Sequence, residues 1–546
     1  MARKSGLLIT GIALLAALPA AQAQIYRVTL SGANEIPVAN TPGTGSAIIT
    51  LNSTTHEMRV VATFSGLVGN STASHVHCCA VQPVNVGVAT TTPTFPGTPL
   101  GVTSGSWDRT YDMTQAGAWN APFVTANGGT PAGAEAAFIA GVAAGRSYLN
   151  VHSTTFGGGE IRGFLVLNSF AANAALSTGT GGAAAALDSL GAGTGALSNA
   201  LVTLAAMAPA PQAAAIALLT PAASRGTRMA VAESISTAFD RISNRLDGLR
   251  LAGNGQSPVL PAALGELPTQ TANGFWLMGN GVESDQRLKD GFAGYKNSGT
   301  GGAVGLDRML QPGRYIGASL NLSHSSLTYR DQSAGDTAHI NSTQVLLYFA
   351  QDAGAVYIDG IAAFGWQKYE GTRNTGVAGV TVGAYDGKTW GVRIGGGMPI
   401  ALSASASITP QVRLDWDSIK QDAYTETGGG PLTLSVASRS ADRFRGSIGG
   451  QIDFASGRGD LKIRPFLRGF WHHNFSDDGM DASASFVSGG TSFVTPGQKL
   501  ESDPYTLGAG INFYSNRAFS AALTYDGTFA ESYHSHVYEA KVRWTF

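Results

Sequence analysis

The sequence predicts an all-β protein in two folded parts, a small antiparallel sandwich near the N-terminus and a larger membrane-spanning barrel in the second half. Three observations predict it. After residue 272, long segments alternate polar and apolar residues with a period of two, about a dozen times over. Between residues 24 and 168, short β-branched runs ("YRVTL", "SAIITL", "MRVVATFSG", "SYLNVHS", "EIRGFLVL") are separated by Gly, Pro and Asn. Gly is 72 of 546 residues, and after Lys4 the next lysine is Lys289, a composition that suits an extracellular β-protein better than a helical enzyme.

The first element is a leader. Arg3 and Lys4 precede an apolar run from Leu7 to Leu18 and the small-x-small triplet Ala21-Gln22-Ala23. Residues 1–23 therefore read as a signal peptide for the secretion translocase, cleaved ahead of Gln24. The run is too short for a spanning helix, and no later stretch reaches the ~18 apolar residues that one needs. Residues 24–168 form the sandwich. Residues 169–271 are Ala/Gly-rich ("STGTGGAAAALDSLGAGTGALSNALVTLAAMAPAPQAAA") and read as a weakly helical linker.

One segment of the linker, near residues 229–251, is amphipathic. Ile235, Phe239, Ile242, Leu246 and Leu249 make one helical stripe, and Asp240, Arg241, Asn244, Arg245 and Asp247 the other face. Alone, this is a helix laid on some surface or half of a coiled coil.

Residues 272–546 carry the barrel. In "YIGASLNLS", Ile316, Ala318, Leu320 and Leu322 alternate with Gly317, Ser319, Asn321 and Ser323. In "LKIRPFLRGFW", Leu461, Ile463, Leu467 and Trp471 alternate with Lys462, Arg464 and Arg468. The closing "VYEAKVRWTF" sets Tyr538, Ala540, Val542, Trp544 and Phe546 against Glu539, Lys541, Arg543 and Thr545. No helices are available to cover so many apolar faces, which leaves lipid as their partner. In lipid every amide must pair, so the strands must close. Trp276, Tyr315, Tyr329, Trp366, Trp416, Tyr525 and Trp544 recur near strand ends, as an interfacial girdle requires.

The stretches "GFWLMGNGVESDQ", "NSGTGGAVGLDRML", "RYIGASLNLSHSS", "SVASRSADRFRGSIGGQIDF" and "VRWTF" resemble the autotransporter (type V secretion) β-domain over nearly all of residues 275–546. The resemblance implies an outer-membrane barrel of twelve strands threaded by a helix. It places Ile235, Phe239, Ile242 and Leu246 on that lumen helix. It also implies that the alternation through Tyr538, Val542, Trp544 and Phe546 is the signal read by the outer-membrane insertion machinery. Some members release their passenger by asparagine chemistry in this helix. Asn244 stands there, without the self-cleavage motif.

"YRVTLSGANEIP", "ATFSGLVGNSTASHVHCCA", "GVTSGSW", "AFIAGVAAGRSYLNVHS" and "GGGEIRGFL" resemble the CHRD (chordin-type) domain over residues 26–167. That resemblance implies a secreted β-sandwich and little chemistry. Cys78-Cys79 stands where many relatives place a Gly-Pro turn after the paired histidines.

The candidate chemistry lies in "ASHVHCC". Alternation puts His75, His77 and Cys79 on one strand face, and Tyr148, Asn150 and His152 of "SYLNVHS" on another. Convergence of His75, His77 and His152, with Cys79 as a soft ligand, would suit copper or zinc. The alternatives are histidines hydrogen-bonded within the sandwich, and a redox role for the thiols of Cys78 and Cys79. Adjacent Cα atoms sit about 3.8 Å apart, below the usual disulfide range, so a bridge between these two is expected to be strained. Such a bridge closes almost no loop, which suits a chain crossing a narrow pore.

There is no P-loop, HExxH or GxSxG. The net charge of −1 gives no field toward nucleic acid. The leading functional reading is an outer-membrane barrel that exports or anchors the N-terminal domain at the cell surface. Two alternatives stand beside it: a copper or zinc redox enzyme in the N-terminal domain, and a solute porin with a periplasmic N-terminal module.

Overall fold

The computed structural model describes residues 23–177, 179–221, 226–253, 273–403, 405–454, 456–458, 461–515 and 519–545. The expected signal peptide up to Gln22, the linker residues 254–271 and the terminal Phe546 lie outside them. The chain divides into two units, residues 1–168 with 191–206, and residues 169–190 with 207–546.

In the N-terminal unit, β1 (Gln24–Ser31), β2 (Thr44–Asn52), β3 (Glu57–Ser65), β4 (Ser71–Cys78), β5 (Gly105–Asp112), β6 (Ser147–Ser153), β7 (Ile161–Phe164) and β8 (Val166–Leu167) are paired antiparallel. They form one sheet in the order β4-β6-β7-β1-β2-β3-β5, with β8 beside β1. The expected antiparallel β fold of this unit holds as one curved sheet, a half-barrel, with no second sheet facing it among the described residues. The place of a second sheet is taken by α1 (Ala121–Ala126) and α2 (Pro131–Ala143), whose Phe138 and Val142 share a core with Val28, Ile49, Val76 and Leu149. Strand alternation reveals that one face is buried but not what buries it. The covering helix had its own start signal: Thr130 Oγ1 accepts the Gly133 amide (3.1 Å) and Pro131 opens the first turn.

The Ala/Gly-rich stretch is more ordered than a linker. It forms α3 (Gly181–Ser189), α4 (Gly195–Ala206), α5 (Pro209–Ala217) and α6 (Thr227–Gly253). Helix α4 belongs to the N-terminal unit, lying on β1 and β2, and α3, α5 and α6 belong to the C-terminal unit. Runs such as "GGAAAALDSL" are weak in apolar bulk, yet small side chains let Ala183, Ala184 and Leu187 become fully buried.

The barrel strands are β9 (Asn273–Gln286), β10 (Tyr295–Gln311), β11 (Arg314–Tyr329), β12 (Thr337–Ala353), β13 (Val356–Asn374), β14 (Val380–Gly397), β15 (Ala406–Gln421), β16 (Arg439–Phe454), β17 (Leu461–Asp477), β18 (Tyr505–Ser515), β19 (Phe519–Phe529) and β20 (Tyr533–Thr545). Each pairs antiparallel with the next, and β20 returns to β9 with Trp544 opposite Phe275, so the twelve strands close. Leu320, Leu467, Trp471, Tyr538 and Trp544 face outward and exposed, whereas Asn321, Arg464, Arg468, Glu539 and Arg543 are buried inside. Trp366, Trp416 and Trp544 suit the aromatic girdle, being exposed outside. Trp276, Tyr315 and Tyr329 do not. All three are buried, because the two-residue pleat turns them inward while exposed Phe275 and Leu277 flank Trp276 on the lipid face.

The two rims differ. Residues 312–313 and 354–355 make tight turns at the rim where β9 begins and β20 ends. The opposite rim carries the longer connections, including 422–438 and 478–504. These two supply a four-stranded sheet of Tyr424–Thr425, Leu434–Val436, Ala482–Phe486 and Gly489–Thr495, against which α3 packs.

Helix α2 approaches β4 at Gly141, where an added Cβ would sit 2.3 Å from both Cys78 Sγ and Cys79 Sγ. Gly141→Val should therefore lower the stability of the N-terminal unit by roughly 1–3 kcal/mol through overpacking. Thermal unfolding of the full-length protein in detergent, followed by tryptophan fluorescence, checks it. An unchanged midpoint would contradict this account of the helix–sheet contact.

Candidate functional site

Helix α6 hydrogen-bonds to strands on every side of the closed sheet, so it lies in the lumen. Ser284 Oγ of β9 donates to Glu233 Oε2 (3.1 Å), and Gln344 Nε2 of β12 to Ser234 Oγ (3.3 Å). Arg393 of β14 and Arg413 of β15 both reach Asp240 Oδ1 (2.6 and 3.1 Å), and Arg443 of β16 donates to Ser236 Oγ (2.9 Å). Arg241 Nε donates to Glu539 Oε1 of β20 (2.7 Å), and Arg468 of β17 to the side-chain carbonyl of Asn244.

The lumen is not uniformly wet. The stripe Ile235, Phe239, Ile242 and Leu246, each at most 1% exposed, packs on inward residues of β9 to β13 such as Trp276, Ala303, Leu346, Tyr348 and Ile361. The charged face meets arginines and carboxylates of the remaining wall. At the seam, Trp276 Nε1 donates to Tyr348 Oη (3.1 Å), Tyr348 Oη to Asp307 Oδ1 (2.5 Å), and Arg245 Nε to Asp307 Oδ2 (2.9 Å).

The helix also has a direction. Thr227 Oγ1 accepts from Gln421 Nε2 (3.3 Å), at the long-loop rim, while Arg250 lies 3.5 Å over the Tyr357 ring, beside a tight turn. The chain therefore enters the barrel at the long-loop rim and leaves at the tight-turn rim, where β9 starts.

The second constellation is on the face of β4, β6 and β7 that points away from α2. The register sets His75 opposite Asn150, His77 opposite Tyr148, Ala73 opposite His152 and Asn150 opposite Arg162. His75, His77 and His152 thereby converge, each offering one ring nitrogen, all within 4.8 Å of one another. His77 Nδ1 donates to Val86 O (2.6 Å) and His152 Nδ1 to Gly157 O (2.9 Å). A carbonyl only accepts, so both Nδ1 atoms carry the proton and both Nε2 atoms keep a lone pair. Neither Nε2 has a hydrogen-bond partner among the described residues, nor does His75 Nδ1. Burial holds all three rings below the usual histidine range, His75 down to about 3 with repulsion from His152 and His77 adding to it.

Two further groups in this cluster escape the sequence reading, Glu35 and Arg162, and they join the amide of Asn150 that alternation had placed beside the histidines. Arg162 is fully buried, donates from Nε to Asn34 O (2.7 Å) and from Nη1 to Asn85 Oδ1 (2.8 Å), and lies 4.4 Å over Tyr148, which stacks on His77. Burial raises the Glu35 carboxyl to about 7 against the pull of Arg162, whose Nε is 3.7 Å from Oε2. The available signal was a charged residue between Ile161 and Gly163 in a charge-poor strand.

Cys79 is a correction. It lies just past the end of β4 and is joined to Cys78 by a disulfide across a cis peptide bond. Neither residue offers a thiolate here, and both sulfurs lie against α2 at Gly141, away from the histidines. Strand alternation does not reach Cys79 because the strand ends at Cys78, and a bridge between the two brings both sulfurs to one side.

Residues 275–526 match the family described as the autotransporter beta-domain, and residues 26–165 match the CHRD domain. Among curated relatives, outer membrane protein B of Rickettsia prowazekii (strain Madrid E) is 25% identical over 323 residues, 56% of this chain and 20% of that protein. Outer membrane protein A of Rickettsia conorii is 20% identical over 327 residues, 58% of this chain and 16% of the relative. The chain thus spans about a fifth of the length of these relatives. Among solved structures, the translocator domain of autotransporter NalP from Neisseria meningitidis is 16% identical, covers 57% of this chain and 98% of its own, and has a TM-score of 0.43.

Two outcomes follow from the geometry. Asp307→Ala strands Arg245 inside the barrel and should cost roughly 3–5 kcal/mol, whereas Arg245→Met with Asp307→Leu should recover only part of it, since the contacts of Asp307 with Arg543 (3.8 Å) and Tyr348 stay lost. The temperature at which the folded barrel shifts to its unfolded mobility on gels reads both. In chelator-treated protein, acid should destabilise the N-terminal unit. The unfolded chain protonates its three histidines below 6.5, which the folded one resists, with His75 held to about 3. Glu35 opposes this, since the folded state binds its proton from about 7 downward and the unfolded state only from 4.5. Over pH 6.5 to 4.5 His75 and Glu35 nearly offset each other, so the net fall in stability comes from the lowered His77 and His152, at about 1.4 kcal/mol per pH unit for each excess proton. Glu35→Gln should steepen the fall and His75→Gln with His77→Gln flatten it. Thermal midpoints across this range decide.

Proposed function

From a chain that carries an autotransporter β-domain behind a CHRD domain, we propose that the outer-membrane barrel delivers its own N-terminal domain to the cell surface and keeps it tethered there. The observation that carries this reading is the direction of α6. Outer-membrane barrels place short turns and both barrel termini toward the periplasm and longer loops outside. Here the chain ahead of Thr227 emerges at the long-loop rim. The polypeptide that precedes it, including the CHRD domain, is then external, and α6 is the part that stays in the pore. The basic, apolar and small residues of positions 1–23 support delivery by the secretion translocase. The alternating strand through Tyr538, Val542, Trp544 and Phe546 supports recognition by the insertion machinery. A solute porin needs an open lumen, and the packing of Ile235, Phe239 and Leu246 on the wall weighs against that alternative.

Intact cells treated with a membrane-impermeant protease should lose the N-terminal domain, detected by antibody, while a periplasmic marker and the barrel survive. Protection of the N-terminal domain until the outer membrane is permeabilised would reverse the proposed orientation.

A further inference from the structure

Among the described residues of the N-terminal unit nine buried side-chain polar atoms lack a partner; Thr98 Oγ1, Trp107 Nε1 and Ser147 Oγ stand apart, and the other six gather in one place. Glu35 Oε1, His75 Nδ1, His77 Nε2, Asn150 Oδ1, His152 Nε2 and Arg162 Nη2 belong to a single cluster on β4, β6, β7 and the loop after β1. Buried polar groups in folded proteins are hydrogen-bonded with few exceptions, so a cluster of exceptions marks the place of something that binds. The histidines define its chemistry. His77 and His152 have spent their ring protons on Val86 and Gly157, and their Nε2 atoms face each other and His75 as lone pairs. Lone pairs cannot satisfy one another; they need a shared electrophile.

We propose that His75, His77 and His152 hold one divalent transition-metal ion, copper or zinc, on the face of the CHRD domain away from α2. The ligand set selects the ion. Neutral imidazoles suit copper and zinc, whereas magnesium and calcium require a shell of oxygens that three rings do not supply. Tetrahedral coordination at about 2.0–2.1 Å sets neighbouring ligand atoms about 3.3 Å apart, a modest closure from nitrogens that already lie within 4.8 Å. The carbonyls of Val86 and Gly157 are the outer-shell acceptors that orient metal-binding histidines and fix their tautomer. Three protein ligands leave a position open, the arrangement of reactive sites and not of closed structural ones. Glu35, Asn150 and Arg162 border the same cluster, Asn150 standing opposite both His75 and Arg162. The site is independent of how the domain is exported.

The test uses full-length protein in detergent, stripped with chelator, exposed to excess Zn²⁺ or Cu²⁺ alone and desalted. Wild type should retain about one ion per chain, and Cu²⁺ should show nitrogen hyperfine structure from imidazoles in its electron paramagnetic resonance spectrum. His77→Gln and His152→Gln should each weaken binding by more than about a hundredfold, beyond what loss of an outer-shell partner costs. Glu35→Gln should still bind. Because a histidine variant could fail to fold, the wild-type melting temperature is read as well, and the ion should raise it. Wild type that retains under about a tenth of an ion per chain, or that shows no nitrogen ligation, overturns the proposal, as does unchanged binding in both histidine variants.

Discussion

Backbone amides that cross lipid have no water to bond to, and that single requirement organises the C-terminal half of this protein. It is met by closure, with Trp544 and its neighbours on β20 paired back to Phe275 on β9. Closure fixes the parity of every residue in the wall. Leu320 and Leu467 must then meet lipid, and Asn321 and Arg468 must meet whatever fills the interior. Such an interior would hold water or collapse without an occupant. Helix α6 supplies one, and the wall receives it with an apolar patch on β9 to β13 around Trp276, Leu346 and Ile361. Asp307 and Asp359 are set among these strands for Arg245 and Arg250, and arginines and aspartates crowd β14 to β16.

The ionic part of the wall shows how a barrel can bury arginines without wasting them. Arg393 is 1% exposed and is shared between Asp415 of the neighbouring strand and Asp240 of the helix. Arg468 is likewise shared between Asp526 and Asn244. Each cation bonds along the sheet and across to the helix, so the wall is paired within itself and the helix joins an existing network. Desolvation makes buried pairs weak contributors to net stability, but a mismatched helix would leave several charges stranded at once. The network thus serves the register and depth of α6 more than the strength of the barrel.

Period-two alternation made most of the barrel legible, because "YIGASLNLS" and "VYEAKVRWTF" state their lipid face residue by residue. The number of strands and the position of the helix came from family resemblance, not from periodicity. Trp276 was misread because "FWLM" is apolar on both faces and hides its parity. The N-terminal strands were legible, but the layer covering them was not. "PAGAEAAFIAGVAA" is as weakly patterned as the linker, and only Thr130 and Pro131 mark it as a helix. At the histidine face, alternation placed His75, His77, Asn150 and His152 together. It could not place Glu35 or Arg162, since their proximity depends on long-range register, with Ser31 of β1 pairing Arg162 of β7. Cys79 went astray at a strand end, where alternation stops.

The path of α6 has a mechanical meaning. Its 27 residues span about 40 Å along the pore axis. Tension on the chain ahead of Thr227 pulls along that axis, parallel to the wall, so the bonds at Glu233, Asp240, Arg241, Arg245 and Arg250 are loaded in shear and together instead of one after another. A tether of this kind yields by sliding the whole rod past its sockets, and no single contact can be peeled first. The load also enters the closing seam, through the hydroxyl of Ser284 on β9 and through Ser535 and Glu539 on β20, so the rod and the closure of the barrel are strained together.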